Sequence, residues 1–515
     1  MDKESIITRA SDALVGFFSP RHALSRIAYR RGIRTLKAAS TDRNTKSWKK
    51  NEAAPQDGFR TGGKTARQRA IFLAENHDAI NGAITTITDH IVGTGINTDV
   101  EIQYSPNSRP GDTTAAATRD RLNQSVEDTK KRWLERAYDI GPMRLNPQEA
   151  ETLRLRTLII QGECFVHRIY TPDDTDRTVP LAYEVLDPSQ LDGGYTASPV
   201  GRNIVEHGVE YDAFTNRIVA YHVTKGDYNL KTIRVPAADM IHTYRPDRPG
   251  QQRGITWLAP AIPRAYELED IIEYAIIARK VQSAIALVVA DNPNNLGPGA
   301  PIPGSVIPSD GATDVYTDPA GNKLRGINPG MIHHVGTGQV TSHTPAAPQD
   351  LDELTRIILR SIAIGMGISY EWLSGDYRQA NFASLRLSEN KTWKRIYTMH
   401  HFVTSKMKAP EHRDFIDLAT AFRLIPPIPR RQDPYACSFS QPKRDWGANP
   451  LQEVNAITTA MGAGLTSLQE EAGKRGIDWR QLLRRINESR EFAMMINPDL
   501  TLYDDLFTAA QTPPE

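Results

Sequence analysis

At 515 residues, with 62 Lys and Arg against 61 Asp and Glu, the chain is too long for one compact core and is expected to divide into two to four subdomains. Two cysteines, Cys164 and Cys437, exclude a disulfide framework and a zinc site and suit a reducing, intracellular compartment. No signal peptide is expected at the start, and the most apolar run, residues 271–290, is broken by Glu273, Arg279, Lys280 and Gln282, so the chain reads as soluble.

The charge is uneven. Residues 1–70 hold 16 Lys and Arg and 6 Asp and Glu, a surplus of ten, while the rest of the chain is nine in deficit. A basic arm, residues 1–65, suits contact with nucleic acid or an acidic partner, or is simply solvated. Within it, residues 11–18 have the spacing of a short amphipathic helix, and residues 40–57 read as a polar linker. Gly58–Thr65, GFRTGGKT, fits the phosphate-loop pattern letter for letter, and residues 285–291, IALVVAD, mimic the strand that carries a magnesium-binding aspartate. A phosphate loop needs a buried strand before it and a helix N-terminus after it. TKSWKKNEAAPQD is no buried strand, and residues 285–291 continue a helical pattern, so a basic, glycine-loosened hinge is the better reading.

Residues 66–93 are expected to form one helix with a stripe of Leu73, Ile80, Ile84, Ile87 and Ile91. His77 and His90 read as solvated or helix-end residues, without ligand partners at helical spacing. Residues 105–112 read as a loop. Residues 119–139 form a second helix with Leu122, Val126, Trp133 and Ala137 inward. Residues 145–162 form a third, with Asn146 as N-cap and Pro147 in the first turn. Then 162–170, 181–191, 204–212, 217–224 and 232–244 read as about five strands. Glu163 and Glu184 lie among them and read as solvated or salt-bridged sheet residues. Residues 242–258, HTYRPDRPGQQRGITWL, form a rigid basic loop. Its Arg245, Arg248 and Arg253 contact a subunit or a phosphate, or are locked by carboxylates within the fold.

A long helix is expected over 260–290, then a Pro- and Gly-rich insertion with strand-like pieces. A second helix follows from Leu351, stopped by Gly365 and Gly367. Its apolar positions are Leu351, Leu354, Ile357, Ile358, Ser361, Ile362 and Ile364. A polar loop over 368–381 leads to a third helix, about 382–406, carrying Arg386, Lys391, Lys394 and Arg395. The pairs His333–His334 and His400–His401 are adjacent and so do not share a helix face for a metal. Residues 418–439 read as loop, 446–495 as helices broken at 462–464 and 473–476, and 507–515 as a frayed tail.

The stretch LRSIAIGMGISYEWLSGDYRQANFASLR, residues 359–386, resembles the signature of lambda-family phage portal proteins. It departs from the family where Ala383 and Ser384 stand in place of a Ser-Ser pair. RAIFLAENHDAINGAITTITDHIVGTGI, GECF, the LDP at 186–188, GVEYDAFTNRIVAYHV, the RPGQQRG loop and WGANPLQEVNAITTAMGAGLTSLQEEAGKRGIDW resemble further family blocks in the family's order.

The resemblance implies a multi-domain α+β portal fold with long stem helices, a β-rich wing, an inserted clip and a C-terminal helical crown. The implied division is a basic arm (1–65), wing (66–256), stem helix (257–290), clip (291–349), second stem helix (350–367), tunnel loop (368–381), wing helix and return (382–440), and crown and tail (441–515). It further implies a ring of about twelve copies at a capsid vertex of the virion, assembled in the host cytoplasm. Double-stranded DNA passes through that ring, and the terminase packaging motor, the capsid or scaffold protein and the head–tail connectors dock on it. No enzyme activity, cofactor, metal or membrane contact is implied. Arg378, Gln379 and Asn381 in the tunnel loop are the expected DNA contacts. The alternatives are a nucleotide-driven DNA motor using Gly58–Thr65 and a non-portal capsid or tail scaffold.

Overall fold

The computed structural model describes residues 59–102, 113–140, 143–191, 197–200, 203–225, 231–284, 287–290, 315–317, 323–325, 332–335, 350–378, 380–428, 432–442, 450–475, 477 and 479–496. These all lie in a compact unit that begins at Pro55. It mixes helices with antiparallel sheets, an α+β fold.

The first expected helix is two: α1 (Lys64–Asn76) and α2 (Asp78–Ile91), broken at His77, whose backbone is extended. The buried His77 ring accepts the Ile80 amide on Nδ1 at 3.5 Å, so Nε2 carries the proton that faces the Ala265 carbonyl at 3.2 Å. After the short strand β1 (Thr98–Val100) comes α3 (Thr113–Ala137), which buries Leu122, Val126, Trp133 and Ala137 as its spacing predicts. In α4 (Pro147–Gln161) Asn146 and Glu149 form a reciprocal capping box, and Gly162 ends the helix at φ 86°. A Cβ on Gly162 would lie 2.2 Å from the Ile255 carbonyl carbon, so only glycine fits where these two segments touch.

The β region holds eight strands in two sheets. β2 (Glu163–Tyr170) pairs with β3 (Leu181–Leu186) and with β9 (Met240–Tyr244). The other sheet is a meander of β4 (Ala197–Val200), β5 (Asn203–Glu206), β6 (Val209–Asp212), β7 (Ile218–Lys225) and β8 (Lys231–Pro236). The run expected as one strand at 204–212 is a hairpin turned at His207 and Gly208, both at positive φ. The run at 232–244 is cut by a short 3-10 turn, and its halves enter different sheets. Strand alternation places β2 between two cores. Cys164 and Val166 face the main core, and Phe165 faces the smaller one with Val209, Tyr221 and Val235.

The long helix ends early. α5 spans Ile262–Ala284, and β10 (Leu287–Ala290) pairs in parallel with β13 (Ile332–Val335), so residues 287–290 do not continue the helix as the periodicity suggested. The β-branched Val288 and Val289 favour the strand once a partner is present. A small hairpin, β11 (Val315–Thr317) with β12 (Lys323–Arg325), lies between them in sequence. α6 (Leu351–Met366) packs on α5 and is closed by Gly367 at φ 77°, followed by the short α7 (Tyr370–Ser374) and then α8 (Phe382–Val403). Gly365 stays inside α6, where the helix comes closest to Ala261.

Residues 404–408 form a π turn that carries α8 into α9 (Ala409–Ala421), a helix extending into the region expected as loop. Pro410 supplies no amide, and the Ala409 amide reaches back five residues to the Thr404 carbonyl. β14 (Cys437–Phe439) returns to pair with β1 across more than 330 residues of sequence. Three helices close the described chain: α10 (Pro450–Gly462), α11 (Leu468–Gly473) and α12 (Trp479–Ile496). No described helix is long and apolar enough to cross a membrane.

Candidate channel loop and interface helices

The loop between α6 and α8 is built from local polar contacts. Ser369 caps α7, and Gly375 ends it in the left-handed conformation. Asp376 then accepts from Arg378 Nε at 2.8 Å and its Nη2 at 3.1 Å, from the Arg378 amide at 3.2 Å, and from the Tyr370 hydroxyl at 3.1 Å. Arg356 lies between Asp352 (2.8 Å) and Asp376 (3.6 Å). The Arg378 side chain and amide hold the Asp376 carboxyl well below the usual carboxylate range. Arg378 itself remains 70% exposed. Asn381 is the N-cap of α8: its Oδ1 accepts the Ser384 amide at 2.7 Å, and Ser384 Oγ accepts its amide at 3.1 Å. Of the three loop residues singled out in the sequence, Arg378 presents a cation to solvent, Asn381 anchors a helix, and Gln379 lies outside the described residues.

The basic loop separates into different environments. Arg253 is buried and clasps the fully buried Glu163 through Nε at 2.9 and 3.0 Å and Nη2 at 2.6 Å. The same carboxylate takes the Gly254 amide at 3.0 Å, Arg67, and His242 Nε2 at 3.3 Å. Burial alone would raise the Glu163 pKa, but Arg253, His242 and Arg67 outweigh it and hold it well below the ordinary value. Burial also lowers the pKa of His242, which favours the neutral ring. Arg253 is therefore a lock within the fold. Arg245 is partly exposed, 3.2 Å from Asp247 and stacked 5.0 Å over the Trp257 ring. Arg248 is exposed, and its amide donates to Gln251. Arg395 on α8 was not singled out as a site residue. Burial and then the nearby Arg245 lower its pKa, and its Nε and the Trp257 indole nitrogen are buried without hydrogen-bond partners among the described residues.

A second buried cluster left no signal in the sequence. Lys408 Nζ bonds Glu151 at 2.7 Å and Glu411 at 3.2 Å, while Arg154 lies 3.3 Å from Glu411 and bonds the Tyr138 hydroxyl. Beside them Lys130 Nζ donates to Thr98 at 3.0 Å and faces His412 Nδ1 at 3.2 Å. Burial, then Lys408, push Lys130 down to about 7. Burial, then Lys130, push His412 down to about 3. These groups come from α3, α4, α9 and the π turn. They tie the helices together; Glu411 is wholly buried, while Lys130 and Thr98 also line a groove of about 480 Å³.

The phosphate-loop match does not form a cradle. Phe59–Gly63 is a helical turn running directly into α1, and Gly63 has right-handed helical angles. Its amides align with the helix axis instead of curling round an anion. Phe59 is buried beneath the Arg253 guanidinium at 4.7 Å.

The outward faces of α5 and α6 are unusually apolar. Tyr266 and Ile364 are 62% and 78% exposed, and Ile272, Tyr274, Ile276, Ile277, Leu354 and Ile357 also face out. Three of these, Leu354, Ile357 and Ile364, are among the apolar positions that helical spacing picks out in α6.

A family model described as "Phage portal protein, lambda family" matches residues 41–399, and the chain belongs to that family. It is 28% identical over 146 residues to the portal protein of Escherichia phage N15, covering 26% of this chain and 27% of that one. It is 26% identical over 183 residues to portal protein B of Escherichia phage lambda, covering 33% and 32%. These matches span about a quarter to a third of the curated relatives' length. Similar solved chains include one from the neck of an empty GTA particle computed with C6 symmetry (TM-score 0.38, 13% identity, 81% of this chain and 94% of that one). Another comes from the virion of a native gene transfer agent particle (TM-score 0.37, 14% identity, 81% and 93%).

Proposed function

We propose that the chain is a structural portal subunit. Copies close into a ring of about twelve at one vertex of the virion capsid, and double-stranded DNA is packaged and ejected through the hole. α5 and α6 are the stem helices of this reading. The clip is the insertion between them, beginning nearer residue 285 than 291 because α5 ends at Ala284. The loop after α6 is the part nearest DNA, with Arg378 as its phosphate contact and Gln379 and Asn381 beside it. The terminase motor, the capsid or scaffold protein and the head–tail connector proteins are the partners, and Arg245 and Arg248 serve a subunit or phosphate contact.

The observation that carries the reading is the apolar surface of α5 and α6, more than two packed helices of a free monomer normally leave in water. Family membership supports it. The mechanism is electrostatic and steric, and it needs no catalytic group: phosphate contacts guide the duplex without reading bases. The test is solution mass with negative-stain imaging of the full chain. Closed rings with a duplex-wide hole are expected. A stable monomer that hydrolyses ATP overturns the reading and revives the motor alternative.

A further inference from the structure

Two faces of this chain carry charges that no other described residue neutralises, and the two are opposite in sign. The first is a groove of about 1110 Å³ between α1 and α5. Phe72 and Tyr266 form its apolar part, both largely exposed. Glu269, Asp270 and Glu273 line it without a salt-bridge partner among the described residues, and Arg69 is its only described cation. Glu267, also in the lining, is already paired with Arg264.

The second face is the outer ridge of α8. Arg386, Lys391 and Lys394 have no carboxylate partner among the described residues, and Leu387 beside them is 72% exposed. Lys394 and His401 flank a shallow groove of about 500 Å³ with Trp393 and Tyr397 in its lining. On each helix an exposed apolar residue precedes one of these charges by seven positions, Tyr266 before Glu273 and Leu387 before Lys394. That spacing is about 10 Å along a helix.

We infer that these faces meet between copies: the α8 ridge of one subunit seats in the α1–α5 groove of the next. The inference rests on the ring reading and names the contact that closes it. A ring needs a head-to-tail contact, in which two different patches of one chain fit each other. A two-fold contact centred on either face would set acid on acid or base on base. Duplex DNA could take the basic ridge but not the acidic groove, whereas a second copy satisfies both. Charge pairs of this exposed kind set register and suppress wrong partners more than they add affinity.

The test uses the full-length protein in three forms, read by solution mass and imaging at fixed concentration and salt. Glu269→Lys/Glu273→Lys makes both faces basic, and Lys391→Glu/Lys394→Glu makes both acidic. Each alone is expected to need at least ten times the wild-type concentration to assemble. Mixed in equal amounts, they are expected to form rings of alternating subunits at the wild-type concentration, because each altered face again meets its opposite. Recovery on mixing also shows that both variants are folded. If wild type closes into rings and either variant does so equally well, or if the mixture does not recover, the contact is overturned while the ring stands. If wild type itself stays monomeric and hydrolyses ATP, the ring reading falls, and this contact with it.

Discussion

Replacing Glu163 with Gln removes one negative charge and leaves the shape almost unchanged. Arg67 and Arg253 both bond the same oxygen, Oε1. Their terminal nitrogens are therefore at most about 5 Å apart, and two cations at that spacing repel by roughly 3 kcal/mol at an effective dielectric of about 20. In the native protein the carboxylate between them cancels this, aided by the Gly254 amide at 3.0 Å. Removing one member of such a buried group costs about 3–5 kcal/mol. At about 2 °C per kcal/mol, the low end for a large folded unit, the melting temperature falls by roughly 6–10 °C. Thermal unfolding at fixed protein concentration measures this, since assembly would otherwise shift the midpoint. Arg253→Gln in the Glu163→Gln background should recover part of the loss, because it removes the uncompensated cation. A Glu163→Gln protein within about 1 kcal/mol of wild type would refute the claim that this carboxylate holds the two arginines together.

Lys130 sits near 7 in the folded protein, below its ordinary value of 10.5, so the unfolded chain binds more protons between those limits and stability rises with pH across that window. Lys130→Met is expected to be more stable than wild type at pH 6, and its advantage should shrink by up to about 1.4 kcal/mol per pH unit from 7 towards 10; parallel stability curves would contradict this. Asn381→Ala should cost about 1 kcal/mol through loss of the α8 cap, and Asn381→Gly only a few tenths, both measured by denaturant unfolding. Gly162→Ala should destabilise by more than about 2 kcal/mol, because the position combines φ 86° with a 2.2 Å approach to Ile255. In assembled rings Asp376→Asn should free Arg378, raise DNA retention and steepen its salt dependence; unchanged retention across a salt series would show that Arg378 does not reach phosphate.

What was legible in the sequence was local. The start and stop of α4 were written in Asn146, Pro147, Glu149 and Gly162, all within one turn of the ends they control. The break at His77 was not, because the ring is held partly by a carbonyl 188 residues away. β10 was hidden for a similar reason: a short apolar run after a helix takes the helical reading until its partner, 45 positions on, is known. The RPGQQRG loop was visible as rigid and basic, but the fate of Arg253 depended on a glutamate 90 residues earlier. Asn381 shows the opposite error of emphasis. Asn followed three positions later by Ser is a capping arrangement in the sequence itself, yet the loop's polarity drew it into the candidate DNA contacts.

The basic residues of this chain differ less in kind than in what meets them, and that decides what each can do. Arg67, Arg253, Arg154 and Lys408 are enclosed by carboxylates and hydroxyls inside the fold, so their charge cannot act on anything outside. Arg378 is exposed but shares its charge with Asp376 and, at 3.9 Å, with Asp352. Copied round a ring, that arrangement gives alternating charge, not a positive collar. On the proposed reading a phosphate would have to compete with Asp376, which the surrounding donors keep ionised, so each contact with a moving duplex would be brief. Arg386, Lys391 and Lys394 have no such restraint among the described residues, and free cations lining a channel would hold DNA rather than pass it. Their unneutralised charge fits better on a surface that closes against a neighbour's acids than on one that faces the duplex.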